Sequence, residues 1–152
     1  MTCPVTIRVQ QGDFDIAHET TLLTRGRTDV GAVASFTGLC RGDDGLVALT
    51  LEHFPDMAEA QIADHVAKAE LRWPLLGVTV IHRVGRMQPG DNIVLVLTAS
   101  SHRLAALAAA EFLMDFLKTN APFWKREERP EGANWVEART EDDEAVARWS
   151  KS

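Results

Sequence analysis

The sequence predicts an α+β fold, a single domain over residues 1–152, with a mainly antiparallel sheet packed against helices. Three observations predict it. Short β-branched runs recur along the chain. Two longer segments carry apolar residues at helical spacing. The two kinds of segment follow one another without strict alternation. The length suits one domain, and an apolar fraction of 45% can fill its core.

Val5 to Val9 reads as a first strand and Asp15 to Thr24 as a short helix. Gly31 to Gly38 is a strand of small residues closed by glycine, and Arg41-Gly-Asp-Asp-Gly45 is a turn by composition. From Ala48 to Phe54 the pattern alternates, with Leu49, Leu51 and His53 on one side and Thr50 and Glu52 on the other. Asp56 then suits the N-cap of a helix reaching about Arg72, with Ile62, Val66, Ala69 and Trp73 forming its apolar stripe. Pro74 ends that helix.

Val78 to Val84 is a β-branched strand stopped by Gly85, and Pro89-Gly-Asp91 is a turn. Ile93 to Thr98 is almost wholly apolar, which predicts a strand central in the sheet. A second helix runs from about Ser101 to Lys118, with Ser100 and Ser101 as candidate caps. It is apolar nearly all round and so should be buried. Short extended pieces near Lys125 to Glu128 and Trp135 to Ala138 flank a turn at Pro130-Glu-Gly132. Glu141 to Glu144 reads as the solvated start of a helix.

Composition narrows the function. A net charge of −6 argues against a general nucleic-acid binder, which needs a broad basic face. Two cysteines are too few for a disulfide framework, and the five histidines show no ligand spacing. Neither a glycine-rich dinucleotide fingerprint nor a P-loop is present. No resident metal or cofactor is therefore expected. Without a long apolar run or a signal-peptide layout, a cytoplasmic location is expected.

Several cations stand in otherwise apolar or mixed segments: Arg41, Arg103, Lys118, Lys125 and Arg126. His102 and Arg103 fall in the first turn of the second helix, where positive charge opposes the macrodipole. A helix start with these residues suits a phosphate; solvent or an acid such as Glu52 would serve them equally. Glu111, Asp115 and Lys118 form one polar stripe at the far end of that helix. An Asp115–Lys118 ion pair is the ordinary reading. The functional one is a lysine aimed into a pocket lined by Met114, fit for proton transfer or nucleophilic work.

The stretch Ala121-Pro-Phe-Trp-Lys-Arg126 joins two aromatics to two cations across a proline break. Lys125 could return to the pocket of Lys118 or be solvated; spacing does not decide. Cys40 beside Arg41 could be a reactive thiol, although no base stands near it in sequence and inert packing is the simpler reading.

Taken in order, these segments resemble the large subunit of molybdopterin synthase, over Gly31 to Arg139. The resemblance rests on Ser35-Phe-Thr-Gly38, Leu49-Thr-Leu-Glu-His-Phe-Pro55, Arg72-Trp-Pro74, Val78 to Gly85 and Pro89-Gly-Asp91. Ser101-His-Arg103, Asp115-Phe-Leu-Lys-Thr119, Ala121 to Glu127 and Trp135-Val-Glu-Ala-Arg139 complete it.

The resemblance implies an α/β hammerhead fold and a sulfurtransferase of molybdenum cofactor biosynthesis. Its substrate would be cyclic pyranopterin monophosphate, converted to the dithiolene of molybdopterin. Sulfur would arrive as the C-terminal glycine thiocarboxylate of a ubiquitin-like small subunit. The large subunit would form a homodimer within a heterotetramer, each pocket completed by the neighbouring protomer. Lys118 and Lys125 would be catalytic. Phe36, Leu39, Cys40, Arg41, His102, Arg103, Met114, Arg126, Glu127 and Arg139 would join them in binding substrate. Arg41, His102 and Arg103 would hold its phosphate.

The chain departs from the family at Leu39, where members often carry lysine, and in its short Gly42-Asp-Asp-Gly45 loop. An apolar residue is usual where Cys40 stands, in keeping with an inert thiol. Two other readings compete: a non-catalytic dimeric receptor for a ubiquitin-like tail or anionic metabolite, and a thiol enzyme using Cys40.

Overall fold

The computed structural model describes residues 3–54, 56–119, 123–136 and 140–151. Among the described residues, eight strands and four α-helices follow in chain order: β1 (Val5–Gln10), α1 (Ile16–Thr24), β2 (Ala32–Leu39), β3 (Ala48–His53), α2 (Met57–Arg72), β4 (Leu75–Arg83), β5 (Gly85–Met87), β6 (Asn92–Ser100), α3 (Arg103–Thr119), β7 (Phe123–Arg129), β8 (Gly132–Val136) and α4 (Thr140–Arg148).

The strands form two four-stranded sheets, ordered β1-β4-β6-β2 and β5-β3-β7-β8. Every pairing is antiparallel except β1 with β4. The α+β class holds, but the strands divide between two sheets. Gly85 is where the chain passes from one to the other. Its φ of 93° lies in the left-handed region that glycine tolerates, so β4 ends in the first sheet and β5 pairs with β3 in the second.

Both faces of the first sheet are covered, which explains the unbroken apolar run in β6. Val78, Val80, Val94 and Val96 face α2 and α3, packing with Ile62, Val66, Phe112, Leu113, Met114 and Leu117. Ile81, Leu95, Leu97 and Ala99 take the other face, under Leu23 of α1. Each large side chain so buried contributes about 1.5–3 kcal/mol. A smaller core joins the sheets: Cys40, Leu49, Leu51 and Met87.

Several boundaries differ from expectation. β4 starts at Leu75, directly after Pro74, and β7 at Phe123. β8 starts at Gly132, so the turn shrinks to Pro130 and Glu131. β5 has three residues, too few for a period to show. Asp56 precedes α2 with a φ of 66° and makes no side-chain cap bond. Ser100 is not a cap either: it closes β6, and its hydroxyl donates to the Pro74 carbonyl at 2.8 Å.

No helix among the described residues is long and apolar enough to cross a membrane.

Candidate active site

β2 is an edge strand; it carries Phe36 and Leu39, and Cys40 and Arg41 follow directly after it. Phe36 lies opposite Val96, on the α3 side, and stays 40% exposed. Leu39 follows a register shift and is exposed beside Asn92. Cys40 is buried and tied at both backbone groups to the turn after β5. Its N–H donates to Asp91 and its carbonyl accepts from Gly90, each at 2.8 Å. Burial pushes the thiol pKa up; Asp91 and Glu127 push the same way, against Lys125. The thiol thus stays protonated, which removes the basis for a thiol enzyme. Arg41 extends into solvent, with Asp43 3.4 Å away.

α3 runs back over the sheet from the opposite end. Its start is fixed by Thr98, whose hydroxyl donates to the Ala106 carbonyl at 2.6 Å. Its last turns lie over Val94 and Val96 and bring Met114, buried, and Lys118, exposed, to the end where β2 finishes. A cation in the last turn is favoured by the helix dipole. The Asp115–Lys118 pair does not form. Asp115 accepts from Arg148 at 2.8 Å and from the Trp149 indole at 2.7 Å, and Arg148 also reaches Glu111 at 3.0 Å. Among the described residues nothing pairs with Lys118.

β7 supplies the remaining cations. Its alternation decides which of them share a side. Lys125 lies opposite Leu51 and Glu127 opposite Leu49, on the face that covers Cys40. Arg126 lies opposite Thr50 and Trp135, on the other face. The order Lys-Arg-Glu therefore splits, and Arg126 does not join Lys125. Glu127 pairs with Arg129 at 2.9 Å. Cys40 packs with Leu49 and Leu51, whose partners on β7 are Glu127 and Lys125, so this face of β7 adjoins the end of β2.

His102 and Arg103 do not join this group within one chain. They are exposed at the start of α3, next to the beginning of β2, where the Gly31 N–H donates to Ser100 at 3.0 Å. No side chain fits at Gly31, since a Cβ would lie 2.1 Å from the Ser101 carbonyl oxygen. Fifteen residues of helix separate Arg103 from Lys118, an axial distance of about 22 Å. Arg139 lies outside the described residues.

Two features escaped the sequence. Arg129 closes a set of bonds around the Asp43–Gly45 turn, a role foreshadowed only by its falling two residues after Glu127 on a strand. A cleft of about 340 Å³ lies among Glu52, His53, Phe54, Trp124 and Trp135. Its aromatic lining was visible in sequence, but its joining of β3, β7 and β8 was not. None of the expected pocket residues lines it.

The arrangement is thus a surface site of exposed cations, with a buried thiol beneath and no grouping of metal-binding side chains among the described residues. Such a site can hold an anion and stabilise negative charge developing on oxygen.

Comparison with known proteins gives this class a family. A family model described as MoaE protein matches residues 9–120. The chain is 58% identical over 150 residues to the molybdopterin synthase catalytic subunit of Mesorhizobium japonicum, spanning 97% of this chain and 94% of that one. The molybdopterin biosynthesis MoaE protein from Burkholderia ambifaria MC40-6 shares the fold with a TM-score of 0.84 and 47% identity, over 97% of this chain and 99% of the other. A chain from the Helicobacter pylori 26695 complex of subunits 1 and 2 of molybdopterin-converting factor shares the fold at 20% identity and TM-score 0.73, over 88% and 91%. The chain belongs to the MoaE family, that of molybdopterin synthase catalytic subunits.

Proposed function

We propose that this chain is the sulfur-transferring subunit of a molybdopterin synthase, acting as one domain in the cytoplasm. It takes sulfur from the C-terminal thiocarboxylate of a ubiquitin-like small subunit and adds it to cyclic pyranopterin monophosphate, building the dithiolene.

The observation that carries the site assignment is that no described residue pairs with Lys118. Arg148 and Trp149 occupy Asp115, so among the described residues that acid is not left to Lys118, which stands one helical turn past Met114 on α3. Residues 120–122 alone separate α3 from β7, whose Lys125 lies opposite Leu51, a neighbour of Cys40 in the smaller core. In this reading Lys118 and Lys125 stabilise the oxyanions formed as sulfur adds, and they move protons. Arg41 holds the substrate phosphate from the turn beyond Cys40.

His102 and Arg103 stand about 22 Å away along α3, too far to reach the same phosphate. A second copy of the chain supplies them, in a homodimer flanked by two small subunits. The exposed edge strand β2 and the exposed Leu104 and Leu107 of α3 suit such contact.

The test combines this chain with its thiocarboxylated small subunit and the cyclic pterin. Dithiolene product is expected. Tight binding of the small subunit without any product would leave a receptor in place of an enzyme.

A further inference from the structure

We propose that Arg129 is a positioning residue, which fixes the turn after Arg41 and so holds the Arg41 guanidinium at the site. The inference rests on reading Arg41 as a phosphate ligand.

The turn needs outside support. It is short and polar, and Asp44 adopts a φ of 56°, a left-handed conformation disfavoured for a residue with a Cβ. Within the turn the Leu46 N–H donates to the Asp43 carbonyl at 3.2 Å. Arg129 adds bonds from outside it. Its Nη1 donates to the Asp43 carbonyl at 3.0 Å and to the Asp44 carbonyl at 2.7 Å. Its Nη2 donates to Glu127 at 2.9 Å, which aims the guanidinium and balances its charge. The next residue along, Val47, is already on the ladder, donating to Glu128 at 2.8 Å.

The connection to the site is continuous. Arg129 holds the Asp43 backbone, and the Asp43 carboxylate stands 3.4 Å from Arg41 Nε. Lys125, Glu127 and Arg129 share one face of β7 by alternation. One strand face therefore carries a catalytic amino group, an aiming carboxylate and the clamp on the anion-binding turn. A guanidinium fork spans three acceptors in its plane; a lysine ammonium does not.

The test uses Arg129→Ala and Arg129→Lys in the assembled enzyme. KM for the cyclic pterin monophosphate should rise about tenfold in Arg129→Ala, with kcat within about twofold. Arg129→Lys should stay impaired, because charge without the fork does not hold the turn. Arg41→Ala combined with Arg129→Ala should be no worse than Arg41→Ala alone, since both remove one function. Additive losses, a fall confined to kcat, or full recovery with lysine would overturn the proposal. Amide exchange provides a readout independent of turnover: residues 42–46 should exchange about tenfold faster in Arg129→Ala at unchanged Tm. Unchanged exchange there would also overturn it. Lack of turnover in the unsubstituted enzyme would sink the functional reading instead, and exchange would then decide the fate of the clamp.

Discussion

Arg148 lies 2.8 Å from Asp115, and this contact between α4 and α3 takes from Lys118 the acid that helix spacing offers it. Lys118 is three residues beyond Asp115, where an ion pair would ordinarily form. Trp149 reinforces the capture through its indole and by packing edge-on against Phe112 and Trp73. Through Asp115, α4 thus sets the charge environment of Lys118.

Arg148→Ala should therefore slow sulfur transfer several-fold by letting Asp115 pair with Lys118. Adding Asp115→Asn should restore the rate, because no carboxylate is then left to compete. Rates of dithiolene formation check both. A double variant as slow as Arg148→Ala would show that the arginine acts by another route.

Cys40 and the two lysines should separate cleanly. The thiol is buried and held protonated, so Cys40→Ser should keep the rate within about threefold. Lys118→Ala and Lys125→Ala should each lose at least about a hundredfold, the usual scale for removing a group that moves protons or stabilises charge. Single-turnover assays with preloaded small subunit compare them directly. The opposite ranking would return the thiol enzyme to consideration.

Much of the fold is legible in the sequence, for identifiable reasons. The apolar run 93–98 named the central strand, and the stripe of Ile62, Val66 and Ala69 named the buried face of α2. Lys118, Met114, Arg41 and Lys125 could be nominated from pattern and resemblance. The fate of Asp115 could not, because its partner lies 33 residues away on another helix. The split between Lys125 and Arg126 is within reach of the sequence, because the extended piece expected near Lys125 to Glu128 already alternates. Ser100 looked like a cap by residue type, but tertiary packing gave its hydroxyl to Pro74.

A buried histidine should make the fold acid-sensitive. His82 stacks on Phe123 at 4.0 Å between ring centres. Its Nδ1 lies 2.9 Å from the Arg83 carbonyl, which can only accept, so that nitrogen carries the hydrogen. Burial is the main cause that lowers its pKa from 6.5 to about 4, with His53 adding to it and the Arg83 bond opposing. Between these values the unfolded chain binds the proton and the folded chain does not. Stability therefore falls as pH drops from 6.5 toward 4, by about 3 kcal/mol over the window. Urea melts at about pH 7 and about pH 4 should show this loss, and His82→Phe should reduce it. The remaining slope belongs to His65, lowered in the same direction chiefly by burial. Equal slopes in the two proteins would remove His82 from the account.

The separation along α3 yields the sharpest test of the assembly. Lys118 and Arg103 occupy opposite ends of one helix, about 22 Å apart, yet both are assigned to one substrate. If each pocket draws Lys118 from one protomer and Arg103 from its neighbour, the two defects complement. Lys118→Ala and Arg103→Ala should each be nearly inactive as pure proteins. Co-refolded in equal amounts, half the dimers are mixed, and each mixed dimer holds one intact pocket, so activity should recover to about a quarter. A pocket built within one chain would give no recovery, because each copy would carry its own defect. Recovery that disappears when the copies are prevented from exchanging would tie the effect to the dimer.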